Sequence, residues 1–307
     1  MPADSLSRSF SQTIGEDTLL IASEPLHAAD LAYPRTLLLD STAALLVSDG
    51  KNGGIWRSTD PLSGSLEPLI ADASLSAPYL AGFVRDTLVI FSAGSNEIVL
   101  AHDGKVVRRF SLDDADAGAA LRYAGVRNAR IAIKSLDEDD GSHLSWYATS
   151  GTHLDRDELR GAYWRHAGLL KSDGDSLLSL RGYLPQLDVI DGTSVDSVGL
   201  YGFDSPMLAR TRSFEYGGVE SPPLIVPSAS ACGNNWFVLN TRPGWIRIDR
   251  YDRTGRLLRA YIQPNPSFDR ELLPTDIAVD CSAAGGPLVA VAIASPDPEI
   301  RLYTLPR

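Results

Sequence analysis

Three stretches of the chain share one plan: Ala81-Gly-Phe-Val-Arg-Asp-Thr-Leu-Val-Ile90, Ala124-Gly-Val-Arg-Asn-Ala-Arg-Ile-Ala-Ile133 and Ala167-Gly-Leu-Leu-Lys-Ser-Asp-Gly-Asp-Ser-Leu-Leu-Ser-Leu180. Each Ala-Gly pair opens a short apolar piece, a polar turn follows, and an apolar run closes the motif. The pairs stand 43 residues apart. A fixed period of this size marks an array of one supersecondary unit. Upstream, Pro34, Leu37–Asp40 and Ala44–Val47 repeat the plan, and Pro34 and Pro78, like Asn52 and Asn96, are 44 apart. Downstream, one copy runs Leu224–Cys232, Trp236–Asn240 and Trp245–Asp252. The last runs Thr275–Cys281, Leu288–Ala294 and Glu299–Tyr303.

These units read as strands. The apolar runs are four to eight residues long, β-rich and bounded by turns. Ile246 and Ile248 alternate with Arg247 and Asp249, the period-two mark of a half-buried strand. Asp103-Gly104, Ser150-Gly151 and Asp252-Arg-Thr-Gly255 read as hairpin turns. Helix signals are sparse, with Ala115–Arg122 and Asp155–Tyr163 as candidates for short connecting helices.

Six four-stranded units predict an all-β fold, a six-bladed β-propeller. The approximate blades are 30–72, 77–113, 121–160, 165–212, 222–263 and 272–307. Irregular fourth and fifth units leave five or seven blades open, and boundaries are least certain in Ser197–Pro223. The last unit stops after its third strand. An N-terminal strand within residues 10–23 (Thr18–Ser23 or Phe10–Ile14) is expected to supply the fourth and close the ring without leaving a cut edge.

The pattern resembles six-bladed propellers of the NHL-repeat-like type. Pro34, Leu37–Asp40, Leu45–Val47, Asp49, Asn52 and Ile55 match such a blade well; Pro78, Leu88–Phe91, Asn96 and Ile98 match in part. Pro274, Ile277–Asp280 and Leu288–Ala292 match its first half, and blades three and four lose the Pro and Asn. The resemblance implies a fold shared by scaffolds, sensors, lyases and calcium-dependent lactone hydrolases, so it does not carry one function.

Composition narrows the classes. The 307 residues carry 39 acidic and 28 basic side chains, a formal net charge of −11, which disfavours nucleic-acid binding. No apolar run reaches transmembrane length. The polar N-terminus shows no signal peptide. Four Lys against 24 Arg suits a GC-rich bacterial source. An exported home is slightly favoured over a cytoplasmic one, with any leader outside this sequence. Cys232 and Cys281 read as two small buried hydrophobes, with pairing left open.

No nucleophile elbow, Ser-x-x-Lys, His-Glu-x-x-His or phosphate-loop motif occurs. The acidic run Asp137-Glu-Asp-Asp140 fails the EF-hand pattern because Ala148 stands where a bidentate Glu is needed. No cofactor or metal is therefore expected. Propeller ligands gather over the central channel, on the face built by the loops leading into each blade and those joining second to third strands. Those loops carry the candidates Asp49, Asn52, Asn96, Tyr123, His166, Arg181, Tyr183, Asn240 and Arg242, with His27, Tyr33, Arg35, Tyr79, Arg122, Arg165 and Tyr216 beside them. Arg, Tyr and Asn suit a polar or anionic ligand or a protein partner. The expectation is a monomeric, non-enzymatic propeller that binds a small polar ligand or a protein. The alternative is a lactonase-, esterase- or lyase-like enzyme with a channel metal.

Overall fold

Short apolar runs separated by turns settle into six antiparallel sheets, as set out by a computed structural model that describes residues 14–138, 141–192, 194–266, 271–283 and 285–306. Blade 1 comprises Pro34–Leu39, Leu45–Asp49, Ile55–Ser58 and Glu67–Ile70. Blade 2 comprises Pro78–Val84, Thr87–Ser92, Glu97–His102 and Lys105–Ser111. Blade 3 is Leu121–Arg127, Arg130–Leu136, Ser142–Tyr147 and His153–Leu159; blade 4 is Leu170–Asp173, Ser176–Arg181, Gln186–Asp191 and Ser194–Gly199. Blade 5 is Ser228–Cys232, Asn235–Arg242, Trp245–Asp252 and Leu257–Ile262, and blade 6 begins Leu273–Asp280, Leu288–Ser295 and Glu299–Thr304.

A lone blade has two faces and cannot bury both, so stacking supplies the core. Six apolar clusters sit one at each blade junction. Leu37, Leu45 and Val47 of blade 1 pack with Ala278, Ala290 and Ala292 of blade 6, and the ring is shut.

The recurring Ala-Gly pairs lie where innermost strands crowd their neighbours. A Cβ on Gly125 would stand 2.7 Å from Leu177 Cδ1 and 2.8 Å from Leu170 Cβ; one on Gly168, which has φ +150°, would stand 2.6 Å from the Leu180 carbonyl oxygen. The 43-residue period is thus a packing requirement at the axis.

Closure departs in one respect from the expectation. Leu20–Ile21 pairs antiparallel with Glu299–Thr304 and completes blade 6, within the expected Thr18–Ser23. Glu16–Thr18 runs instead parallel to Leu257–Ile262 as a fifth strand of blade 5. Leu19, only 1% exposed, enters the core between these blades, so the residues on either side of it fall on adjacent sheets. The alternative closing strand, Phe10–Ile14, lies outside the described residues except for Ile14.

Two further expectations are corrected. Cys232 and Cys281 form a disulfide, with Cα atoms 5.8 Å apart. Their places at the ends of adjacent innermost strands bring them within bridging distance. Of the helix candidates, the first is helical only in its first half, as part of Asp114–Gly118, capped by Asp113 accepting from the Asp116 amide. The second is not a helix; His153–Leu159 is the outermost strand of blade 3. The helix Leu208–Glu215 in the blade 4–5 connection lacks a side-chain N-cap and acidic residues in its first turn, so it left no start signal. No helix among the described residues is long and apolar enough to cross a membrane.

Candidate functional site

The loops leading into the blades and those joining second to third strands share one face, where hydrogen bonds join them. Gly50 N donates to Tyr33 O at 2.8 Å, Gly94 N to Ser76 O at 3.0 Å and Gly182 N to Ala167 O at 2.6 Å. The nine predicted site residues all lie on or beside this face, in four separate groups.

Asp49 and Asn52 form the first. Asp49 is fully buried and accepts from four backbone amides: Ala32 at 2.8 Å, Tyr33 at 3.1 Å, Lys51 at 2.9 Å and Asn52 at 3.1 Å. Its lone pairs are spent on shaping two loops. Asn52 Nδ2 donates to Asp30 O at 2.7 Å, continuing the same work. Asn96 stands apart, at φ +57°, donating to Ala117 O at 3.3 Å. Asn240 and Arg242 form the third group. Asn240 donates to Asp249 at 2.7 Å and to Asp204 O at 3.0 Å, and Arg242 donates to Asp204 O while lying over the Trp245 ring. Burial lowers the Arg242 pKa.

Tyr123, His166, Arg181 and Tyr183 are brought together across blades 3 and 4. They continue an arc of rings and cations that starts in blade 1. The Arg35 guanidinium lies 4.5 Å from the Tyr79 ring centre and 5.9 Å from that of Tyr33. Tyr79 meets Tyr123 edge to face at 6.4 Å, and Lys134 Nζ stands 5.1 Å from the Tyr123 ring. Arg35 thus reaches from blade 1 onto blade 2, and Tyr79 from blade 2 onto blade 3. Burial raises the pKa values of Tyr79, Tyr123 and Tyr183, keeping these phenols protonated hydrogen-bond donors. Arg35 donates to Ala77 O at 3.1 Å and has no carboxylate partner among the described residues. Arg181, in contrast, is held by Asp188 at 2.9 Å. His166 is buried, its Nε2 2.9 Å from Arg160 O, and burial lowers its pKa.

Lys134 is the residue that the sequence reading missed. It is 1% exposed and donates to Ser179 Oγ at 3.0 Å and Leu180 O at 3.2 Å. Burial lowers its pKa to about 7, against the pull of Asp188 and with a smaller push from Arg181. The corresponding position on the second strand of the other blades holds Ser48, Phe91, Leu180, Leu239 and Ala292. One charge in an otherwise uncharged register was the available signal.

Below the mouth, Lys171 Nζ and Asp276 Oδ2 meet at 2.5 Å, and Asp276 also accepts from Leu37 N and Ser228 Oγ. Among the described residues no three His, Cys, Asp or Glu side chains converge as metal ligands. Clefts of about 390 and 550 Å³ open on the opposite face, on either side of the Arg85–Asp86 turn. His27, Arg165 and Tyr216 lie outside the arc: His27 stands 3.7 Å from Glu299 and Arg165 2.9 Å from Glu215, while Tyr216 is 84% exposed.

No protein-family model and no curated protein matches the chain. Solved structures do. A streptogramin B lyase shares 14% identity over 92% of this chain and 87% of its own, with a TM-score of 0.57. Regucalcin from Agrobacterium tumefaciens, a calcium-binding protein, shares 12% identity over 94% and 95%, TM-score 0.57. A chain of a nidogen/laminin complex shares 14% over 78% and 83%, TM-score 0.53. At these identities the likeness is one of fold. The chain is a six-bladed β-propeller with the architecture of the NHL-repeat-like group.

Proposed function

We propose that the protein is a non-enzymatic, monomeric binding propeller whose ligand, a small polar anion or an anionic group on a protein, sits at the channel mouth. The observation that carries this reading is Arg35: a guanidinium without a carboxylate partner among the described residues, set between the Tyr33 and Tyr79 rings, in a chain of net charge −11. A preorganised cation with phenol donors beside it suits recognition of a carboxylate or phosphate. Nucleic acid remains disfavoured by the charge balance. The disulfide supports an oxidising, exported home.

A thermal-shift screen of carboxylates and phosphorylated small molecules tests the reading. A ligand that raises Tm in the parent protein and loses its effect in Arg35→Ala and Tyr123→Phe supports it. Hydrolysis or elimination of lactone or ester substrates by the purified protein would overturn it.

A further inference from the structure

Every blade ends in an outermost strand, and an outermost strand with free amides and carbonyls is a template for another chain. Five of the six edges here are blunted. Blade 1 ends in Glu67–Ile70, which contains Pro68. Blade 2 ends in Lys105–Ser111 with Lys105, Arg108 and Arg109, and blade 3 in His153–Leu159 with Asp155, Arg156, Asp157 and Glu158. The edges of blades 5 and 6 are covered by Glu16–Thr18 and Leu20–Ile21. In blades 1, 2, 3 and 5 a register shift also interrupts the pairing of the third and fourth strands.

Blade 4 has none of these devices. Ser194–Gly199 pairs with Gln186–Asp191 over six residues without a shift. Its sequence is Ser-Val-Asp-Ser-Val-Gly, with no proline and no basic residue, and five of the six residues are exposed. Val195 is 46% exposed. No described strand pairs with its outer side. The single charge on the edge is Asp196, which makes no ion pair among the described residues.

We propose that Ser194–Gly199 is a docking edge for an extended, basic segment of a partner protein, which adds to blade 4 as a fifth strand. Backbone hydrogen bonds supply affinity in this mode, and alternate side chains supply selection. Charge selects the occupant: a Lys or Arg opposite Asp196 gains a cross-strand pair, and a small apolar residue covers Val195. A second copy of the same edge, paired antiparallel about Asp196, would instead set two carboxylates face to face. The molecule already holds one added strand of this kind. At blade 5 the charges are reversed: acidic Glu16–Thr18 lies on the edge strand Leu257–Ile262, with Asp17 2.5 Å from Arg259 of that edge and Glu16 2.8 Å from Arg247 of the strand behind it.

The probe is acetyl-Thr-Val-Lys-Val-Thr-Val-amide, titrated into the full-length ¹⁵N-labelled protein. Saturable amide shifts confined to Gln186–Gly199, with at least about tenfold slower hydrogen exchange in Ser194–Gly199, are expected. In Asp196→Lys the response should vanish for this peptide and reappear with Glu in place of its Lys. Asp196→Asn, a smaller change, should weaken binding with Tm unchanged. No shifts at millimolar peptide, shifts centred elsewhere, or indifference to Asp196→Asn would overturn the proposal. So would a concentration-dependent dimer through Ser194–Gly199 without peptide.

Discussion

Lys171, on the innermost strand of blade 4, reaches Asp276, on the innermost strand of blade 6, with Nζ 2.5 Å from Oδ2. The contact bridges non-adjacent blades. Asp276 is fully buried and also receives the Leu37 amide of blade 1 at 2.6 Å and the Ser228 hydroxyl of blade 5. One carboxylate therefore ties four blades at the axis. Removing one member of a buried pair leaves its partner uncompensated. Asp276→Ala should cost about 3–5 kcal/mol in urea unfolding. Asp276→Asn, which keeps the shape, should cost less. A loss under about 1 kcal/mol for the alanine variant would show that the tie is not structural.

The junction of blades 5 and 6 is clasped twice, by the disulfide inside and the N-terminal strap outside. Cys232 and Cys281 are 49 residues apart, and closing a loop of that size stabilises by about 4 kcal/mol in the chain-entropy model. The Cys232→Ala/Cys281→Ala variant should lose stability of that order. Leu19→Ala should cost about 3 kcal/mol, because Leu19 is buried in the same junction. Equal midpoints for parent and variants in denaturant titrations would contradict both expectations.

Asp49 was read as a ligand candidate and proves to organise loops. Asp49→Ala strands four backbone amides and should destabilise by about 2 kcal/mol or more. Asn at this position should recover part of the loss. If Asp49→Ala instead kept full stability and abolished binding of a ligand found by screening, Asp49 would belong to the site.

Lys134 makes stability depend on pH. Its ordinary value of 10.5 falls to about 7 in the folded chain through burial. Between these values the unfolded chain holds a proton that the folded chain has released, so stability rises with pH from about 7 to about 10. Lys134→Met should remove this contribution and match or exceed the parent at pH 7, as when other buried charges are replaced by apolar groups. Urea unfolding of both proteins at pH 7 and pH 10 measures it. A parent-minus-variant difference that stays constant would contradict the assignment.

The blade plan was legible because its markers are packing constraints: Gly125 must be small beside Leu170 and Leu177, and Asp103 and Gly104 take φ +47° and +72° at their hairpin turn. The site was less legible. Loop membership put Asp49, Asn240 and Arg242 near one another on paper, but their buried partners are set by tertiary contacts. Asp204 comes from the long blade 4–5 connection, and no spacing in the chain foretells that it meets Asn240 and Arg242. Lys134 was passed over because an apolar run hides its single charge. The disulfide was left open because Cys232 and Cys281 become neighbours only once two innermost strands stack.

The reading of the channel mouth as a binding site is tested most directly by ¹⁹F NMR of fluorotyrosine-labelled protein, with Tyr79, Tyr123 and Tyr183 assigned by single Tyr→Phe variants. Titration with a carboxylate or phosphorylated small molecule identified by screening should shift these three signals together and saturably. The shifts should be lost in Arg35→Ala, and the ligand should be recovered unchanged. Ligand binding that leaves the three signals in place, or chemical conversion of the ligand, would contradict the account.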